Sequence, residues 1–244
     1  MFIIDFIKRE LEDYKDLLRN IPALPVSLFL VSVVAMNLLA NKELFSSEYL
    51  ALDCGFTISW IAFLCMDMIC KRYGPKAAAK ISVLAIATNL ACCGIFKLLS
   101  LTPGMWGEYY STGMIEVNEG LNATIGGCWY VVFGSALAMF VSAVVNSFVN
   151  WSIAKRLTTN DFKAFAKRSF ISTGIAQFID NLVFATVVSH VFFGWSWLAV
   201  VTCSLTGALL ELACEVVFSP IGYKISKDWE KNNIGQDYLE KYQG

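Results

Sequence analysis

The stretch SFISTGIAQFIDNLVFATVVSH, Ser169 to His190, is apolar along its length, yet Gln177, Asp180 and Asn181 stand in its middle. A helix of about 20 apolar residues crosses a hydrocarbon core of about 30 Å, so the length suits a membrane crossing. A charge at the centre of such a helix costs about 2.5 to 3.5 kcal/mol on insertion scales, and polar groups there face an interior or a pathway. About twelve residues at 1.5 Å each put Asp180 about 18 Å into its helix, near the bilayer midplane. Gln177 is one turn earlier on the same face. Ser169, Thr173, Gln177 and Asp180 form one line, and Asn181, a step aside, widens it.

The rest of the chain suits such a helix. Of 244 residues, 57% are hydrophobic and only 16% charged, against about a quarter charged in soluble domains. Six apolar segments stand out: 24–40, 54–70, 77–99, 127–150, 170–192 and 195–218. No ten-residue alternation of a membrane barrel occurs, so these read as helices, the second being the shortest. The expected fold is all-α, a six-helix transmembrane bundle over 23–219, preceded by an amphipathic cytoplasmic segment (1–22) and followed by a cytoplasmic tail (220–244).

Basic residues set the orientation. The N-terminal arm, the connections after the second and fourth segments, and the tail hold every Lys and Arg except Lys42 and Lys97. By the positive-inside rule both termini are cytoplasmic, and six crossings return the chain to that side. The first twenty residues are too rich in charge for a cleavable signal. Phe2, Ile3, Phe6, Ile7, Leu11, Tyr14, Leu17 and Leu18 recur there at helical spacing. Such a helix either lies on the membrane face or packs on the bundle's own cytoplasmic loops.

Several function classes fall away. The net charge of -1 gives no signal for nucleic acid. There is no phosphate-binding G-x-x-x-x-G-K-[ST] loop and no H-E-x-x-H, and His190 is the sole histidine, so neither an enzyme nor a metal or other cofactor is expected. The eight cysteines read as packing residues, although Cys54 and Cys128, near outer helix ends, could pair. Trp106, Trp129, Trp151, Trp195 and Trp197 sit where interfacial anchors belong. Trp60 lies deeper, at a level where it could stack on a ligand, although packing is the commoner role there. The connection 100–126, with Glu108, Glu116 and Glu119, is either a cation-attracting lip or a solvated loop. Asn37, Asp67, Asn89, Asn146, Asn150, Glu211 and Glu215 offer partners to the polar stripe, as pathway groups or as glue between helices. Glu211 and Glu215 also suit pairing with basic residues at the cytoplasmic boundary.

Ser172-Thr173-x-x-x-Gln177-x-x-Asp180-x-x-x-Phe184 resembles the S-T-x-x-x-Q-x-x-D-x-x-x-F signature of the VUT family, the queuosine precursor transporters. Asp67-x-x-x-Lys71-x-Tyr73-Gly74 is similar to that family's D-x-x-x-E-x-Y-G, with Lys71 where many members carry an acid. Asn37 to Lys42 resembles the family's first helix exit. The resemblance implies import of a 7-deazaguanine, such as queuine or its cyano or aminomethyl precursor, across a bacterial inner membrane. It implies a substrate site built on Asp180 and Gln177, with Asn181, Asp67, Asn146 and Asn150 along the pathway and Phe184 or Trp60 against the ring. The expected partners are a 7-deazapurine and the lipid bilayer; a homo-oligomer or a separate energising module stays open. A non-transporting membrane scaffold, or a carrier of another heterocycle or vitamin, is the alternative.

Overall fold

The break at Gly74 organises the first half of the chain. In the computed structural model, which describes residues 2–47, 49–102, 113, 115–154 and 162–242, the side chains of 2–4, 147, 150, 151, 154, 162–170 and 172 lie outside the description. Trp106 and Glu108 lie outside it altogether, as do the side chain of Trp151 and those of the basic residues between 155 and 168.

Helix α1 (Phe2–Asn20) meets α2 (Ala23–Leu39) at 107°. Pro22 and Pro25 stand at the start of α2, where a missing N–H costs nothing. A hairpin of β1 (Glu43–Ser46) and β2 (Ala51–Asp53) follows, pairing antiparallel. It departs from the all-α expectation. The strands are too short to show alternation, and β1 is exposed throughout.

Helix α3 (Phe56–Leu99) has 44 residues, and Gly74 inside it takes φ 80° and ψ 170°. Only glycine occupies that region readily. Unbroken, 44 residues would run about 66 Å, about twice the hydrocarbon thickness. Gly74-Pro75 therefore ends one helix and starts the next, which separates the expected segments 54–70 and 77–99.

Helix α4 (Ile115–Gly127) occupies part of what the sequence suggested as the loop 100–126, with Glu116 in its first turn, where the helix dipole favours an acid. Then come α5 (Trp129–Ala154) and α6 (Phe162–Phe184), a π-helical turn (Ala185–His190), α7 (Val191–Phe193), α8 (Trp197–Lys231) and α9 (Gln236–Tyr242). Helix α8 runs through Pro220 well past the expected segment end at 218.

Among the described residues four helices are long and apolar enough to cross a membrane, or five if the bent α1–α2 pair counts as one. Only 22–28% of each of those four spans is buried inside the protein. Apolar helices that turn most of their surface outward need lipid as their solvent. The molecule is a helical, multi-pass membrane protein.

The chain divides into two units. The first comprises 1–34, 58–89 and 215–244; the second comprises 35–57 and 90–214. The first unit's core centres on Tyr73, fully buried, whose hydroxyl donates to the Asn20 carbonyl at 2.8 Å. The rings of Trp229 and Tyr238 lie against it. Gly235, at φ 75°, passes so close to the Tyr73 ring that a Cβ would collide with it. Arg72 Nε donates to the Ile234 carbonyl at 2.9 Å, fixing the turn before α9.

Helix α9 clasps α1. The Tyr238 hydroxyl donates to Asp13 at 2.7 Å, and Lys241 and the Tyr242 hydroxyl donate to Asp16 at 2.6 and 2.9 Å. Burial, and then the bond to Asp13, raises the Tyr238 pKa. Hydrogen bonds from Lys241 and then Tyr242 hold Asp16 below the ordinary carboxylate value.

Candidate functional site

Within the second unit, α5 and the α6–π–α7 segment pack in a single antiparallel register. Tyr130 stacks on Phe192 with centroids 4.6 Å apart. Gly134 faces Val188 so closely that any Cβ would collide with its methyl group, and Phe184 closes the same spot. Further along, the Ser142 hydroxyl donates to Asp180 Oδ1 at 2.8 Å. Each step forward along α5 is thus matched by a step back along α6. Asn146, one turn beyond Ser142, falls at the level of Gln177.

Among the described residues Ser142 is the hydrogen-bond partner of Asp180. Its single proton is shared with the Met139 carbonyl at a longer 3.1 Å. The next residue, Asn181, uses both amide hydrogens: Nδ2 donates to the Gln177 carbonyl at 3.0 Å and to Glu211 Oε2 on α8 at 2.9 Å. Gly207 of α8 faces the Asn181 amide, where a Cβ would be in ordinary contact, 3.4 Å from Oδ1. Of the two partners expected for Glu211, the polar stripe and the boundary bases, it reaches the first, at Asn181. Close helix approach decides that, and it cannot be read from the spacing of Glu211 and Glu215.

Three helices therefore bring together Ser142, Gln177, Asp180, Asn181 and Glu211, with Asn146 at the same end of the register. Gln177 is buried and Asp180 half-buried. Asn146 Oδ1 is buried and has no hydrogen-bond partner among the described residues. A buried acceptor without a donor costs about 1 to 3 kcal/mol, so its retention in an apolar span calls for an explanation.

The other expected site residues stand elsewhere. Phe184 is beside Gly134, one turn from Asp180. Asn150 is within α5, but its side chain lies outside the described residues. Asp67 and Trp60 belong to the first unit. Trp60 stacks on Phe218 at 4.4 Å, which gives it a packing role. The Asp67 side chain is exposed. Lys71, one turn on, has its ammonium 3.1 Å from the centre of the Tyr223 ring, a cation–π contact, and forms no salt bridge with Asp67.

Sequence reasoning missed Ser142 and the π turn. Ser142, Asn146 and Asn150 recur every fourth residue, a polar stripe on α5 that would have flagged the first of them. The π turn begins directly after Phe184, and such turns are frequent at functional sites. An apolar groove of about 300 Å³ lies between α5 and the π turn, lined by Trp129, Phe133, Thr186 and Val191 among others. None of the polar site residues lines it. All eight cysteines are free, and Cys128 contacts Cys93 as well as the Ile125 carbonyl.

Residues 53–225 match the sequence family described as "Putative vitamin uptake transporter". The chain belongs to this family. The match runs from the end of β2 to the C-terminal part of α8 and takes in both polar motifs, Asp67 to Gly74 and Ser172 to Phe184, so the VUT resemblance drawn from those motifs holds. No curated protein and no solved structure matches the chain. As a VUT member with several apolar spans, it is a membrane protein of a small-molecule uptake family.

Proposed function

We propose that this VUT member imports a queuosine precursor, a 7-deazaguanine such as queuine or its cyano or aminomethyl relatives, through six crossings of the bacterial inner membrane, with both termini cytoplasmic. The observation that carries the reading is an excess of acceptors in an apolar setting. Asp180 has Ser142 as its described donor, and Asn146 Oδ1 has none. A cargo that fits such a place brings its own N–H groups. The guanine-like edge presents N1–H and an exocyclic amine side by side, and one carboxylate accepts both. Asp180 takes that edge, Gln177 donates its amide to the ring carbonyl, and Phe184 covers the ring face. Asn146 and Asn150 supply further acceptors along α5. Asn181 holds Glu211 in place. The exposed Asp67 is a separate acceptor, suited to the basic amine of queuine or the aminomethyl precursor.

The distribution of Lys and Arg supports the orientation, and the break at Gly74 supports counting α3 twice. The test is rescue of tRNA queuosine in a bacterium lacking both its synthesis and its own importer, fed each precursor in turn. Rescue by the wild-type chain, and its loss in a well-expressed Asp180→Ala variant, is the expected result. The family description favours a vitamin as the second reading; uptake of a vitamin by this chain, with no rescue by any precursor, would establish it instead.

A further inference from the structure

Helix α1 turns two unlike sides to its surroundings. One side is fastened within the first unit. Leu17 is fully buried there, Lys80 sits between Glu10 and Asp13, and α9 holds Asp13 and Asp16. Another side is uncovered: Ile7, Leu11 and Leu18 are 50%, 64% and 41% exposed. They fall on one stripe at spacings of four and seven. Each is followed by an exposed basic residue at position 8, 15 or 19 or lies a turn from one, so Lys8, Lys15 and Arg19 form a row alongside the stripe. None of these three forms a salt bridge among the described residues. Glu10, Asp13 and Asp16 bind protein, whereas Asp5 and Glu12 are exposed beside the row of three bases, which keeps a net positive charge.

An apolar stripe bordered by a basic row is the pattern of a helix lying in the headgroup layer. The 107° bend into α2 agrees: with α2 taken as a crossing helix, on which this step rests, α1 runs nearly along the membrane surface. Charge selects the occupant. A second copy docked symmetrically on the same stripe would bring two basic rows together, whereas anionic headgroups neutralise them. We infer that α1 is a double-sided dock, bound to its own protein through Glu10, Asp13 and Asp16, and to anionic lipid through the Ile7–Leu11–Leu18 stripe and the Lys8–Lys15–Arg19 row.

The test uses the full chain in nanodiscs of phosphatidylcholine alone or of a phosphatidylcholine–phosphatidylglycerol mixture. Amide exchange of α1 should slow in the anionic discs by at least about fivefold, the worth of one basic side chain at such a surface. A K8Q/K15Q/R19Q variant should lose that difference while α9 exchanges as before, and transport remains available as a separate readout. A photo-crosslinker in place of Leu11 should mark lipid. Equal exchange in both disc types, or crosslinking of Leu11 to a second copy of the chain, would overturn the inference.

Discussion

Ser142 and Asp180 meet across α5 and α6 with 2.8 Å between hydroxyl and carboxylate oxygens. The contact fixes one carboxylate oxygen; in the proposed site the other takes the cargo. Ser142→Ala should lower cargo affinity by about tenfold, equivalent to about 1.4 kcal/mol, because hydrogen bonds to carboxylates are worth about 1.5 to 3 kcal/mol. Asp180→Asn, which turns an acceptor into a donor at nearly constant volume, should abolish uptake. Uptake assays normalised to membrane-inserted protein distinguish these variants from misfolding; wild-type uptake by Asp180→Asn would remove Asp180 from the site.

Asn181 bridges α6 to α8 through Glu211. Truncating it to Ala strips the acid of that donor and should destabilise the protein by about 1 to 3 kcal/mol. Thermal unfolding in detergent measures this, and an unchanged midpoint would show that Glu211 does not depend on Asn181.

At Gly74 the backbone angles exclude a side chain at low energy. Gly74→Ala should cost about 1 to 3 kcal/mol through strain alone. The same substitution at Gly94, where a Cβ would meet nothing within 4 Å, provides the control. If the two variants unfold alike, the break does not require glycine.

The α1–α9 clasp should respond to acid. Asp16 has its folded pKa lowered by Lys241 and then Tyr242, so its contribution is present above the unfolded Asp value of about 4 and is lost as pH falls through the lower folded value. Tyr238 has the opposite sign: its raised pKa makes its contribution whole below about 10, the unfolded value, and weaker as pH rises above it. Proteolysis of the C-terminal segment should therefore be slow and flat around neutrality and speed up at both extremes. Tyr238→Phe should leave the acid limb and flatten the alkaline one.

Much of this was written in the sequence, for reasons that differ by residue. Asp180 and Gln177 were legible because lipid makes every polar group in a crossing helix conspicuous. The stop between the second and third segments was legible as Gly74-Pro75. Glu211 stood open between the polar stripe and the boundary bases because its side of α8 is visible from periodicity, but the distance to α6 is not; the bond from Asn181 decides it. The hairpin escaped because seven residues in two strands carry no period. For Trp60, depth suited packing and ligand stacking alike, and its partner Phe218 is not readable from depth. For α1 the periodicity fitted membrane and protein contact equally well, and only the partners of Glu10, Asp13 and Asp16 told its sides apart.

The clasp also imposes an order on biogenesis. Tyr238, which grips Asp13, is separated from it by 225 residues. During synthesis Lys80 and Tyr73 can therefore hold the first helix early, while its second fastening, to α9, waits until the crossing segments are threaded. Until then Tyr73 lacks the ring of Tyr238 beside it, so this small aromatic lock closes late.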